Sequence, residues 1–160
     1  ASQMMYRSDS VFTTESAYDA NTQNTELFNK AKDFEKKLKR AQATAMTPAA
    51  WMKKRMTEEH WYESTFEDRT GLDKMNYSRV QGGVHNFTLR PLVAMGVGLG
   101  LDLNEMEEVL RLGGMSFKPG DKEQEAYKFL FTAFYGQDID TCNDFLREIN
   151  VTRLGTRQKL

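Results

Sequence analysis

The sequence has few of the features that mark secreted or membrane-spanning proteins. It has a single cysteine, Cys142, which excludes an internal disulfide, so nothing in the chain requires an oxidising compartment. No apolar run approaches the roughly 20 residues that span a bilayer, and the N-terminal stretch ASQMMYRSDS has no apolar signal-peptide core. We therefore expect a soluble, cytoplasmic protein.

Histidine is scarce, with two residues in the whole chain. His60 and Glu63 fall on one face of a helix in EEHWYE, but two candidate ligands without a second histidine are too few for a zinc site. The glycine string GVGLG, residues 96–100, follows a helix rather than a strand and lacks the final glycine of a dinucleotide fingerprint, so it indicates close packing. We expect no metal, no cofactor and no enzymatic activity.

Positive charge is not in excess either. The 160 residues carry a formal charge of −1, and residues 46 to 118 contain nine basic and ten acidic side chains. Because phosphate binding relies on Lys and Arg, this balance argues against a strongly basic nucleic-acid binder but leaves room for a local basic face. The 39% of hydrophobic residues excludes a fully disordered chain and is enough for one core.

The first part of the chain divides into an arm and a helix. Residues 1–24 are polar and lack periodicity, which predicts a flexible arm. An amphipathic helix is expected at 25–46, with Thr25 as its N-cap. Its apolar residues recur at alternating spacings of four and three: Leu27, Ala31, Phe34, Leu38, Ala41 and Ala45.

This spacing is an a/d seam over about three heptads, and it has two interpretations. In one, the stripe packs on the protein's own core. In the other, it pairs the chain with itself as a homodimer through Leu27, Phe34 and Leu38.

Helix start and stop signals follow one another closely after this segment. Thr47 is the expected N-cap of a first core helix at 48–58, which has proline at its first position. A second helix at about 62–69 stops at Gly71, and a third begins near Asp73, whose side chain can cap free N–H groups.

Three further boundaries follow from the same signals. Thr88 is expected to cap the fourth helix, with a buried face at spacings of three and four. For the fifth helix, Asp102 with Glu105 or Asn104 with Glu107 forms a capping box, and the neighbouring apolar residues favour Asp102.

Two more amphipathic segments complete the chain. We expect a sixth helix that ends at Gly136 and a seventh that is capped by Asp140. No segment shows sustained period-two alternation, so a sheet is not expected. The sequence predicts an all-α fold.

The run from Pro48 to Gly113 resembles a known family. The turn and recognition segment TGLDKMNYSRVQGG and the run TLRPLVAMGVGLGLDLNEMEEVLRLGGM are similar to the lambda-repressor-like, or Xre-type, helix-turn-helix family. The later stretch EAYKFLFTAFYGQDIDTCNDFLREINV resembles a helical extension found after this module in some bacterial regulators. The resemblance implies a five-helix bundle at 47–115, followed by a helical hairpin in the extension at 116–160.

The same resemblance implies a function and the residues that perform it. It implies a bacterial transcription regulator whose third helix enters the major groove of double-stranded DNA. Lys74, Met75 and Arg79 match the positions that face base edges, where Lys or Arg donates to guanine and Met contacts a thymine methyl. Side chains that resemble DNA-backbone contacts are Asn76, Ser78, His85 and Asn86.

Three residue types depart from the family pattern. Glu63 stands where a polar group commonly meets phosphate, and Glu67 occupies a site that is often small. His85 and Asn86 replace a loop that is frequently basic. The alternative interpretation is therefore a degenerate helix-turn-helix that serves as a protein–protein interaction module and docks a protein partner.

Overall fold

The computed structural model describes the backbone of residues 14–156 and the side chains of residues 22–156. These residues contain eight α-helices and no strand, which confirms the all-α prediction. The chain separates into two compact units, with the division between Ala45 and Met46. The helices are α1 (Thr14–Thr44), α2 (Pro48–Glu58), α3 (Glu63–Thr70), α4 (Lys74–Gly82), α5 (Leu89–Gly98), α6 (Leu103–Leu112), α7 (Lys122–Leu130) and α8 (Ile139–Glu148).

The first unit contains α1, a single helix of 31 residues. It begins at Thr14 rather than at Thr25, so residues 14–24 of the expected polar arm are helical, while residues 1–13 lie outside the described part. Extending an existing helix costs much less free energy than nucleating a new one. No glycine or proline interrupts residues 14–44. A polar composition therefore did not prevent helix formation here.

Local capping chemistry sets the starts of three helices in the second unit. The side chains of Thr47, Asp73 and Asp102 each accept a hydrogen bond from the backbone N–H of the third helical residue, at 3.0, 3.1 and 2.8 Å. Asp102 also receives the reciprocal contact, because its N–H donates to the Glu105 carboxylate at 3.1 Å. These caps confirm the predicted starts of α2, α4 and α6.

The end of α7 and the start of α8 differ from the sequence predictions. α7 ends at Leu130, after which N–H groups bond to carbonyls three residues back and form turns as far as Gly136. The cap of α8 is Asp138, whose carboxylate accepts the Thr141 N–H at 2.8 Å, whereas Asp140 lies inside the first turn. Asp138 and Asp140 could each cap a helix by the local sequence pattern. The path of the preceding turn places Asp138 at the N-cap position.

α5 lies at the centre of the second unit, with every residue from Leu92 to Gly98 buried. It packs on α3, α6 and α8. A Cβ added at Gly96 would collide with Met106 Sδ and lie 3.0 Å from the Phe131 ring, and one at Gly98 would lie 2.9 Å from a backbone oxygen of α3. Gly96 and Gly98 of GVGLG therefore permit close helix packing, as the sequence indicated.

Leu92→Ala is expected to lower the free energy of unfolding by about 2–5 kcal/mol, because the fully buried side chain would leave a cavity. Urea unfolding of the full chain measures this loss. The matched control is Leu112→Ala on α6, where the leucine is 38% exposed and the loss should be much smaller. Equal losses for the two variants would contradict the central position of α5.

Candidate nucleic-acid interface

A three-residue turn joins α3 to α4. Gly71 ends α3 with φ at +70°, a left-handed conformation that favours glycine, and its N–H donates to the Glu67 carbonyl at 3.0 Å. The next residue, Leu72, is 2% exposed and donates its N–H to the Thr70 hydroxyl at 3.1 Å. The turn is therefore held by a buried side chain and by local hydrogen bonds, which fix the direction in which α4 leaves.

The inner face of α4 packs on the helix before it. Val80 is fully buried, and the Tyr77 ring lies 5.3 Å from the Phe66 ring of α3. Asn76, which was expected to contact the DNA backbone, is also on this inner side. It is 7% exposed, and its Nδ2 donates to Asp73 Oδ1 at 3.0 Å. The expectation for Asn76 is thus corrected, because its amide supports the N-cap of α4 instead of facing a ligand.

The outer face of α4 carries four of the expected site residues. Lys74, Met75, Ser78 and Arg79 are all exposed and stand at helical spacings that form one continuous stripe. Met75 is 59% exposed, and Arg79 Nη2 donates to its sulfur at 3.2 Å. We call these four residues the α4 stripe.

The two cations of the α4 stripe have no acidic partner among the described residues. Lys74 and Arg79 are in none of the ion pairs found between residues 22 and 156. Arg55 and Arg90 differ, because each donates to a carboxylate on another part of the second unit. The stripe therefore presents positive charge that the fold itself does not neutralise.

The loop after α4 carries the other two expected contacts. His85 and Asn86 are exposed, and the His85 ring lies 4.6 Å edge-on to Phe87, which is 7% exposed. At the start of the loop the Thr47 hydroxyl donates to the Gly83 carbonyl at 2.8 Å. Buried Phe87 and the Thr47 contact thus anchor the loop at both of its ends.

α3 presents negative charge rather than positive charge. Glu63 is its first residue and is exposed, Asp68 is exposed, and Glu67 is half-buried. A carboxylate at a helix N-terminus is favoured by the helix dipole but repels phosphate. The start of α3 therefore presents a carboxylate, which is unfavourable for phosphate.

One element of this region was missed by the sequence analysis. The C-terminal segment after α8 returns to the turn between α3 and α4, where the Thr156 N–H donates to the Gly71 carbonyl at 2.9 Å. In the other direction, the Asp73 N–H donates to the Thr156 hydroxyl at 3.1 Å. The segment therefore holds both ends of the turn that orients α4.

The C-terminal segment is itself fixed by α8. Leu154 is fully buried, and the side-chain amide of Asn143 bonds to both its N–H and its carbonyl, at 2.7 and 3.0 Å. Gly155 has φ at +87° and lies so close to the turn that an added Cβ would be 2.6 Å from the Gly71 oxygen. In the sequence the only signal of this contact is a glycine between an apolar residue, Leu154, and a short polar stretch.

Gly155→Ala is expected to destabilise the second unit by about 2–4 kcal/mol, because it adds a steric collision to the strain of a positive φ. Gly120→Ala is the matched control: its φ is +82°, but nothing lies within 4 Å of the added Cβ. The difference between the two variants in urea unfolding measures the contact between the C-terminal segment and the turn. Indistinguishable losses would contradict that contact.

The described part of the second unit also contains a cleft and a buried thiol. A cleft of about 470 Å³ is lined by Asp68, Arg69, Asp138 and Asp140 together with residues at the end of α5. Among the described residues no cluster of His, Cys, Asp and Glu is arranged to hold a metal ion. Burial, with a smaller effect of the Asp138 charge, raises the pKa of the Cys142 thiol to about 11, so the nucleophilic thiolate is scarce at neutral pH.

Comparisons with protein-family models, with curated proteins and with solved structures find no match to this chain. Between residues 14 and 156, none of the helices combines the length and apolar character that crossing a bilayer requires.

Proposed function

We propose that the chain is a bacterial transcription regulator that binds double-stranded DNA through a lambda-repressor-like helix-turn-helix, with α4 in the major groove. The observation that carries the proposal is the α4 stripe, in which an exposed methionine shares one face of a short helix with two cations that form no ion pair with any described residue. The turn at Gly71 and the C-terminal segment give that helix a fixed orientation, which base recognition requires.

The stripe has the chemistry that reads base edges. The Arg79 guanidinium offers a planar fork that matches guanine O6 and N7, and its present contact with the Met75 sulfur is weak and easily replaced. Met75 supplies an apolar surface for a thymine methyl group. Lys74, at the first helical position, reaches either a base edge or a phosphate.

Contacts to the DNA backbone come from outside α3. Ser78 on α4 and the loop residues His85 and Asn86, which follow that helix, are exposed polar groups. Lys53 and Lys54 on α2 are exposed and have no ion-pair partner among the described residues, and α2 packs directly on α4. These lysines take the place of the phosphate contact that Glu63 excludes at the start of α3.

A second candidate function rests on the exposed apolar groups near the same helix. Tyr62, Met75 and Val84 are 74, 59 and 78% exposed, which also suits a surface that docks a protein partner. On this interpretation the helix-turn-helix fold is retained but does not recognise a DNA sequence. The acidic α3 contributes to the protein-docking surface.

Arg79→Ala is expected to weaken binding to the preferred DNA site by about 1–3 kcal/mol and to relax selection at one base pair, because a bidentate contact is lost. Selection from randomised duplexes by the wild type and the variant, followed by affinity measurements at two salt concentrations, provides the test. Enrichment of no common site by the wild type would reject DNA reading and favour the protein-docking function.

Two control variants separate base reading from charge. Arg79→Lys keeps the positive charge but removes the planar fork, so it should lose selectivity while retaining most of the affinity for unrelated DNA. Arg111→Ala removes an exposed arginine of α6 and should leave the selected sequence unchanged. A change of selected sequence in Arg111→Ala, or none in Arg79→Lys, would contradict the assignment of Arg79.

A further inference from the structure

α1 exposes its apolar residues along its described length. Every side chain from Thr22 to Thr44 is exposed, and Leu27, Phe34 and Leu38 are 65, 62 and 41% exposed. Helices in water gain most of their stability from packing an amphipathic face, and a stripe of large apolar residues indicates an interaction surface. The face therefore requires a partner, and the identity of that partner can be inferred from its pattern.

The apolar stripe has a strict seven-residue register, which is characteristic of helices that pair with helices of the same kind. The d positions are Leu27, Phe34 and Ala41, and the a positions are Asn24, Ala31, Leu38 and Ala45. Asparagine at a single a position fixes the register and favours two strands, because its side-chain amide hydrogen-bonds to the amide of the same residue in an aligned second chain.

The charges that flank the stripe distinguish between the two orientations. Lys30 and Lys37 occupy g positions, and Glu35 occupies an e position. Lys37 already pairs with Asp33 on its own helix at 3.0 Å, whereas Lys30 and Glu35 are in none of the ion pairs found among the described residues. In a parallel pair Lys30 faces Glu35 of the second copy, twice by symmetry. An antiparallel pair instead places Lys30 opposite Lys37 of the second copy.

We propose that α1 binds α1 of a second copy of this chain as a parallel, in-register, two-stranded coiled coil. The inference rests on the exposed stripe, the Asn24 position and the Lys30–Glu35 complementarity, and it does not depend on what α4 binds. Its tests measure association alone and use no DNA.

Sedimentation of the full chain gives the first test, with an expected mass of twice 18.4 kDa. Leu38→Asp, which places a charge in the seam, should raise the dimer dissociation constant at least tenfold. Ala43→Asp changes an exposed residue at an f position, on the far side of the helix, and should leave it unchanged. Circular dichroism and urea unfolding confirm that both variants keep the second unit folded. A monomeric wild type, or equal association of the two variants, would reject the coiled coil.

Charge reversal tests the proposed facing of Lys30 and Glu35. Lys30→Glu and Glu35→Lys should each raise the dissociation constant roughly three- to tenfold, because each places like charges opposite one another twice. The double variant Lys30→Glu/Glu35→Lys restores opposite charges and should return close to wild-type association. Additive weakening in the double variant would contradict the parallel pairing of these residues.

Cysteine crosslinking tests the orientation directly. Ala41→Cys at a d position should form an intermolecular disulfide under mild oxidation, because parallel in-register chains place the two sulfurs together. Ala43→Cys at the f position is the matched control and should not crosslink. An antiparallel pair would separate the two Ala41 positions by about 25 Å along the helix axis, so a dimer without the Ala41→Cys crosslink would overturn the proposed orientation. Cys142 is fully buried, so it is not expected to form disulfides with the introduced cysteines.

Discussion

The arrangement of the candidate site depends on one close backbone contact, between Gly71 and the C-terminal segment. Gly71 ends α3 in a conformation that a side chain would strain, and its carbonyl accepts the Thr156 N–H while Gly155 packs against it. The two glycines are needed for different reasons: a Cβ at Gly155 would lie 2.6 Å from the Gly71 oxygen, whereas Gly71 has room for a Cβ but adopts a positive φ of +70°. This contact acts together with buried Leu72 and the local hydrogen bonds of the turn to set the direction of α4, and with it the position of the exposed side chains on that helix.

Charged groups in the second unit fall into two sets with different roles. Arg55 donates to Glu105 at 2.8 Å and joins α2 to α6, and Arg90 donates to Glu123 at 2.9 Å and joins the start of α5 to α7. The pKa of each guanidinium is raised above its ordinary value, and the largest cause is the hydrogen bond to Glu105 for Arg55 and to Glu123 for Arg90. These arginines connect helices, whereas the cations of the α4 stripe have no described carboxylate partner. A chain with a formal charge of −1 can therefore still present a local positive face on α4.

The two units are stabilised in different ways. The second unit buries a continuous core around α5, so its helices are short and depend on one another. α1 has no described side chain in that core and has 31 residues, with its apolar residues in a narrow stripe. Short helices with wide apolar faces suit a globular bundle, and a long helix with an a/d seam suits pairing with another helix. The proposed dimer would thus give α1 the packing that the second unit obtains from its own chain.

The sequence by itself determined the helical class and most helix starts in the second unit, because capping acts within four residues. Thr47, Asp73 and Asp102 were found from local pattern alone, whereas Lys74, Met75 and Arg79 were placed at base-facing positions only by the family resemblance. Tertiary structure decided what local pattern leaves open. Tertiary packing buries Asn76 beside the N-cap residue of α4. It also makes Asp138, and not Asp140, the cap of α8. It also brought Thr156 to Asp73 across 83 residues of chain, a contact that Gly71 and Gly155 permit but that only the packing of the segment after α8 brings about.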